Sequence, residues 1–128
     1  MTKKITIAID AMGGENAPEK TIEGVKLFLK NNQTHDDFII NLFGDKKKIE
    51  EKLKKENIDR TNLKITHTDS VVADDETPLT AIKNSKNTSM WNCISSQVTG
   101  DADISLSAGN TGVLLVVSRM ILKMMDDV

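Results

Sequence analysis

Four short apolar runs, each stopped by glycine or polar residues and each followed by apolar residues at helical spacing, constrain this chain more than any other feature. Lys4 to Asp10 is a β-branched run that ends at the Met12-Gly13-Gly14 turn. Pro18 suits the first turn of a helix, with Asn16 just upstream, and Ile22, Val25 and Leu29 follow at helical spacing until Asn31-Asn32. Phe38 to Phe43 is the second run, broken by Gly44-Asp45, after which Ile49 and Leu53 stand four apart in a lysine- and glutamate-rich stretch. Leu63 to His67 is a short third strand, and the polar, acidic Thr68 to Thr77 behind it reads as a loop of functional length. Pro78 opens a further helical stretch with Leu79 and Ile82 on one face. Past Asn87 a fresh helix carries Met90, Ile94 and Val98 until Gly100. Ala102 to Ser107 is the fourth strand, and Ala108-Gly109-Asn110-Thr111-Gly112 leads from it into a helix from Val113 to about Met125.

Strands that alternate with helices pair in parallel, because parallel neighbours need a crossover, and the crossovers cover both faces. The expected fold is therefore α/β, a three-layer parallel sheet. With 128 residues it is a single domain over 1–128. The last helix is apolar on nearly every side, at Leu114, Leu115, Val117, Ile121, Leu122, Met124 and Met125, and should be buried. Nothing after it in the sequence would cover it, so the chain reads as an incomplete portion of a longer protein, or as one whose partner buries that helix.

Several function classes are disfavoured. Fifteen lysines and two arginines face 12 aspartates and seven glutamates, in separate clusters and with a net charge of −2, which makes no general case for nucleic acid. Only Phe28, Phe38, Phe43 and Trp91 are aromatic, too few for base-stacking platforms. The longest aliphatic run, Val113 to Val117, is far short of the about 20 residues of a membrane span. A single cysteine, Cys93, reads as a small buried hydrophobe, and with no leader pattern at the start the chain reads as cytosolic.

Ligands of open parallel sheets bind beyond the carboxyl ends of the strands. At the first such end, Asp10 to Pro18, paired glycines let main-chain amides approach an anion, although a tight turn and helix cap explain them equally well. The dinucleotide pattern G-x-G-x-x-G and the phosphate-loop pattern G-x-x-x-x-G-K-[ST] are both absent. At the fourth end, Ser107 to Gly112 runs straight into a helix, which aims free N–H groups and the positive helix end at one spot, with Ser107, Asn110 and Thr111 as neutral donors. In the third loop, Asp74-Asp75-Glu76 could hold a divalent metal, but acids just ahead of Pro78 more often stabilise a helix start, and no metal is assigned. Lys83 to Met90 is a second anion-prone segment or a solvated helix junction. His67, at a strand tip, is an acid, base or donor candidate against a plain structural role. No triad order, nucleophile elbow or Cys-His pair points to covalent catalysis.

Ile7-Ala8-Ile9-Asp10-Ala11-Met12-Gly13-Gly14, Asp74 to Pro78, Ser89-Met90, Ala102-Asp103 and Ser107 to Gly112, in this order and spacing, resemble the bacterial PlsX-type phosphate acyltransferases. The resemblance runs over essentially the whole chain, and family members are two to three times longer, so the chain is similar to their amino-terminal portion. It implies an isopropylmalate dehydrogenase/phosphotransacetylase-like fold. It also implies a cofactor-free enzyme of phospholipid synthesis that converts fatty acyl-(acyl carrier protein) and inorganic phosphate to acyl phosphate and free carrier. The implied setting is a cytoplasmic homodimer, peripheral to the inner face of the plasma membrane, with acyl carrier protein and a membrane glycerol-3-phosphate acyltransferase as partners. Glu15 stands where the family has aspartate, Lys83 where it has arginine, Ser85 where it has lysine and Val113 where it has alanine; the two basic changes, at Lys83 and Ser85, weaken a phosphate clamp there.

Physical reading and resemblance agree on a cradle for phosphate and a developing oxyanion at Gly109, Asn110, Thr111 and Gly112. Asp10, Gly13 and Gly14 would border it, with Ser89 and Ser107 also touching substrate and His67 or Lys86 as donors. Two other readings stay open: a noncatalytic phosphate- or carrier-binding fragment, and a nucleotide-binding dehydrogenase-like domain.

Overall fold

The computed structural model describes residues 4–32, 37–73, 75–83 and 85–122. Strands β1 (Ile5–Asp10), β2 (Phe38–Gly44), β3 (Leu63–His67) and β4 (Ile104–Ser107) alternate with helices α1 (Glu19–Asn31), α2 (Lys46–Lys55), α3 (Pro78–Lys83), α4 (Ser89–Val98) and α5 (Thr111–Ile121); a single 3-10 turn, Ser85–Asn87, precedes α4. The four strands form one sheet in the order β3-β2-β1-β4. All three pairings are parallel, with Ile7 opposite Ile40 on one side and Ile104 on the other. Every carboxyl end therefore lies on one edge, as expected.

The two faces of the sheet carry different cores. Ile22, Val25 and Leu29 of α1 and Ile49 and Leu53 of α2 pack on Ile40, Leu42 and Phe38, with Ile9, Leu63 and Ile65 against them. Each such side chain contributes about 1.5–3 kcal/mol when fully buried. On the opposite face α4 lies over Ala8, Phe43 and Ala102 through Cys93. Beside it, Met90 and Ile94 join Val72, Ala81, Val113 and Val117, which docks α3 and α5 against α4. Lys26 bonds Glu56 at 3.0 Å and Lys52 reaches Glu23 at 3.6 Å, pinning α1 to α2.

Boundaries and faces differ from the sequence expectations in a few places. Strand β1 starts at Ile5, β2 extends through Gly44, β4 starts at Ile104, and α5 begins at Thr111, so Thr111 and Gly112 form its first turn. Pro18 sits at the N-cap position rather than inside α1. Val98 is 55 % exposed although it continues the Met90 and Ile94 spacing. In α3 the buried residue is Ala81, while Leu79 is 71 % exposed. Nor is α5 buried all round: only its Val113/Val117 stripe is, and Leu115 stays 70 % exposed, because α3 and α4 cover one side of the helix. Met124 and Met125 lie outside the described residues.

Candidate functional site

At the carboxyl edge two segments of the chain are locked together by one relay centred on the buried Asp10. Asp10, 2 % exposed at the tip of β1, accepts the Met12 N–H through Oδ1 at 3.1 Å. Its Oδ2 accepts the Ser107 hydroxyl at 2.8 Å, and Ser107 Oγ in turn accepts the Gly109 N–H at 3.1 Å. Gly13 fits between them because it lacks a side chain: a Cβ there would lie 2.7 Å from Asp10 Oδ2 and 2.8 Å from the Gly109 nitrogen. Gly14 takes a φ of 92°, which L side chains rarely adopt, and a Cβ on it would come within 3.0 Å of the Ala108 carbonyl. Asp10, Gly13, Gly14, Ser107 and Gly109, named separately from the sequence, thus form one cluster.

Asn110 ends that cluster and begins α5. Its Oδ1 accepts the Val113 N–H at 3.2 Å, which is the helix cap. Its amide nitrogen donates to the carbonyl oxygens of Ala73 at 3.2 Å and Glu76 at 2.8 Å, drawing the acidic loop onto the helix start. The Glu76 side chain accepts the Ala73 N–H at 3.3 Å, and Asp74 lies outside the described residues. Beyond Asn110 the pattern changes. Thr111 and Gly112 are exposed, and their N–H groups, the first two of α5, have no hydrogen-bond partner among the described residues. A helix start with open N–H groups and no acid in its first turn is a place for an anion.

Ser89 opens α4, and Lys86 lies in the 3-10 turn just ahead of it. The Ser89 N–H bonds the Ser70 carbonyl at 3.0 Å and the Ser70 N–H bonds the Asn87 carbonyl at 3.2 Å, a link between the acidic loop and α4 that no sequence motif marks. Ser89 is fully buried, and its hydroxyl has no partner among the described residues. Lys86, Lys83, Ser70, Ile82 and Asn87 line an open polar cleft of ≈ 450 Å³. Met90 connects this region to the cradle, since a Cβ on Gly109 would touch its Cε at 2.8 Å.

His67 is not brought to this cluster. It ends β3, which β2 separates from β1, and both ring nitrogens are engaged: Nδ1 accepts the Lys46 N–H at 3.1 Å, and Nε2 pairs with Asp69 at 3.0 Å. That pattern fixes the proton on Nε2 and makes the ring a cap for α2. Cys93 is fully buried, as expected, and burial, reinforced by the Asp10 carboxylate, pushes its thiol up to about 12. It is a packing residue rather than a nucleophile. Sequence reasoning missed Thr88, whose hydroxyl caps α4 by accepting the Trp91 N–H at 3.2 Å; its place just ahead of the Met90 stripe was the available signal.

A family model described as a fatty acid synthesis protein matches residues 5–128. The chain belongs to this family. Curated relatives in it are named phosphate acyltransferase. The one from Pelagibacter ubique is 41 % identical over 128 residues, covering 100 % of this chain and 37 % of the relative. That from Azorhizobium caulinodans is 38 % identical over 129 residues, again all of this chain and 36 % of the relative. The Listeria innocua protein is 42 % identical over 109 residues, which is 85 % of this chain and 30 % of the relative. The chain thus spans about a third of the length of the curated relatives it matches. Family membership agrees with the resemblance carried by the Asp10–Gly14 and Ser107–Gly112 segments, the two that the structure joins through the Asp10–Ser107 bond.

Proposed function

We propose that this chain is the amino-terminal portion of a phosphate acyltransferase, a single α/β domain that helps transfer a fatty acyl group from acyl carrier protein to inorganic phosphate. The observation that carries the reading is the start of α5, where the Thr111 and Gly112 N–H groups stand on the sheet's carboxyl edge with no partner among the described residues. The names of the family and of its curated relatives support it.

In this reading a phosphate oxygen attacks the thioester carbonyl carbon. A C–O bond forms, the carbonyl oxygen takes up negative charge, and its collapse breaks the C–S bond; the departing thiolate takes the proton that the phosphate gives up. No protein nucleophile is required. Main-chain donors at a positive helix end can hold the phosphate or the developing oxyanion, and one well-placed donor of this kind is worth about 2.7–4 kcal/mol in the transition state. Asp10, Ser107 and the Gly13–Gly109 contact hold the loop that presents them, and Asn110 caps it. Lys86 serves the phosphate from the turn ahead of α4, Ser89, buried at the first position of that helix, holds the acidic loop through its N–H bond to Ser70, and His67 orders α2 at the rim. The intact enzyme is a cofactor-free cytoplasmic homodimer, peripheral to the inner membrane face, that passes acyl phosphate to a membrane glycerol-3-phosphate acyltransferase. Among the described residues no helix is long and apolar enough to cross a membrane.

A chimera tests this directly: this chain replaces the aligned part of the Pelagibacter ubique relative, and acyl phosphate formation from acyl carrier protein and phosphate is assayed. Turnover within tenfold of the parent is expected. A folded chimera that binds phosphate or carrier protein without turnover would mean a binding fragment and overturn the enzyme reading.

A further inference from the structure

Helix α2 carries six lysines and two glutamates in ten residues, within a chain whose net charge is −2. Only Ile49 and Leu53 face the core. Lys52, on the flank, is taken up by Glu56 at 3.1 Å and Glu23 at 3.6 Å. Lys46, Lys47, Lys48, Lys54 and Lys55 are exposed and have no acidic partner among the described residues. Lys47 and Lys54, and Lys48 and Lys55, are two turns apart, so the ammonium groups form a ridge along one side of the helix.

Three of the five oppose the helix they stand on. The first turn has no acid, and Lys46, Lys47 and Lys48 place three positive charges at the positive end of the helix. Folding gains nothing from that arrangement. The turn is held by other means, the Asp45 cap on the Lys48 N–H at 3.3 Å and the His67 ring on the Lys46 N–H at 3.1 Å. It also lies at the carboxyl end of β2, on the same edge of the sheet as the start of α5.

We infer that the lysine ridge of α2, centred on Lys46–Lys48, is a docking surface for an acidic protein. Resting on the function proposed above, that protein is the acyl carrier protein, which would present its thioester along the edge that holds the phosphate cradle. A lipid surface is the poorer match: the apolar side of α2 is buried in the core, and its exposed side offers charge and no side chain to insert. Charge complementarity of this kind speeds encounter and fixes orientation, and it weakens as salt rises.

The test uses the chain itself, purified acyl carrier protein, inorganic phosphate and phosphatidylglycerol vesicles, with binding read by calorimetry and fluorescence anisotropy at low salt. The variant Lys46→Glu/Lys47→Glu/Lys48→Glu should bind carrier protein at least tenfold more weakly, keep its phosphate affinity within twofold, and melt no lower than the parent, since acids suit that helix end. A control with the same change of charge, Lys4→Glu/Lys30→Glu/Lys64→Glu, should keep carrier affinity within threefold. Undiminished carrier binding by the first variant would overturn the docking surface and leave the proposed function standing. So would lysine-dependent binding to vesicles in a chain that takes phosphate and not carrier. A parent chain that binds neither phosphate nor carrier would overturn both.

Discussion

Ser107 and Asn110 commit their polar groups to distant parts of the chain and Gly109 donates its N–H to Ser107, whereas Thr111 and Gly112, directly after them, leave their N–H groups without a partner among the described residues. The first half of the loop is a fastener and the second half is a surface. The glycines divide the same way. A Cβ on Gly109 would meet Met90 at 2.8 Å and Ser107 Oγ at 3.2 Å, while one on Gly112 would find nothing nearer than 3.6 Å. If the proposed function holds, substrate binding and fold maintenance are separable by mutation within six residues, and a motif that looks uniform in sequence is not uniform in its hydrogen bonding.

Changes in the fastener should cost stability, in a definite order. Asp10→Ala strips acceptors from the Met12 N–H and the Ser107 hydroxyl in a buried place, and each unsatisfied donor costs about 1–3 kcal/mol. A large drop in the urea midpoint is expected; a midpoint close to the parent's would show that the relay does not hold the loop. Gly13→Ala forces a methyl group against a carboxylate and a main-chain nitrogen, an overpacking that costs about 1–3 kcal/mol by the same measurement. Asn110→Ala removes the cap of α5, worth about 1 kcal/mol, together with two donations to the acidic loop. Amide exchange should quicken at residues 73–76 in that variant while the strands keep their protection.

Much of this fold was legible because its periodicities are local. β3 runs from Leu63 to His67 as the sequence indicates, and the α1 stripe of Ile22, Val25 and Leu29 is the buried one. Strand pairing followed from alternation with helices, since parallel neighbours leave no other connection. The site was legible only as a collection of unusual segments. That Asp10 would hold Ser107, 97 residues away, or that Asn110 would direct its amide to Ala73 and Glu76, depends on sheet order and on where the acidic loop lands. Sequence names the donors and acceptors of the Ser107–Gly112 loop, and tertiary contacts decide which are used up. His67 shows the same limit: its strand-tip position was evident, but the capping of α2 by its Nδ1 was not. The exposure of Leu115 and Val98 likewise reflects which neighbours reach them rather than their spacing along a helix.

Replacing Thr111 by proline tests the surface half alone. Proline removes the first N–H of α5 at the helix position that tolerates it best, and Asn110, at φ −51° and ψ 115°, already lies outside the α region that a following proline disfavours. In the Pelagibacter ubique chimera, Thr111→Pro should melt within about 2 °C of the parent, since a change well below 1 kcal/mol moves a domain of this size by no more than that. Its acyl phosphate turnover should fall by about 10²–10³, the loss typical of one oxyanion-type donor. Unchanged turnover with unchanged phosphate affinity in a normally folded Thr111→Pro chimera would contradict the claim that the start of α5 is the cradle.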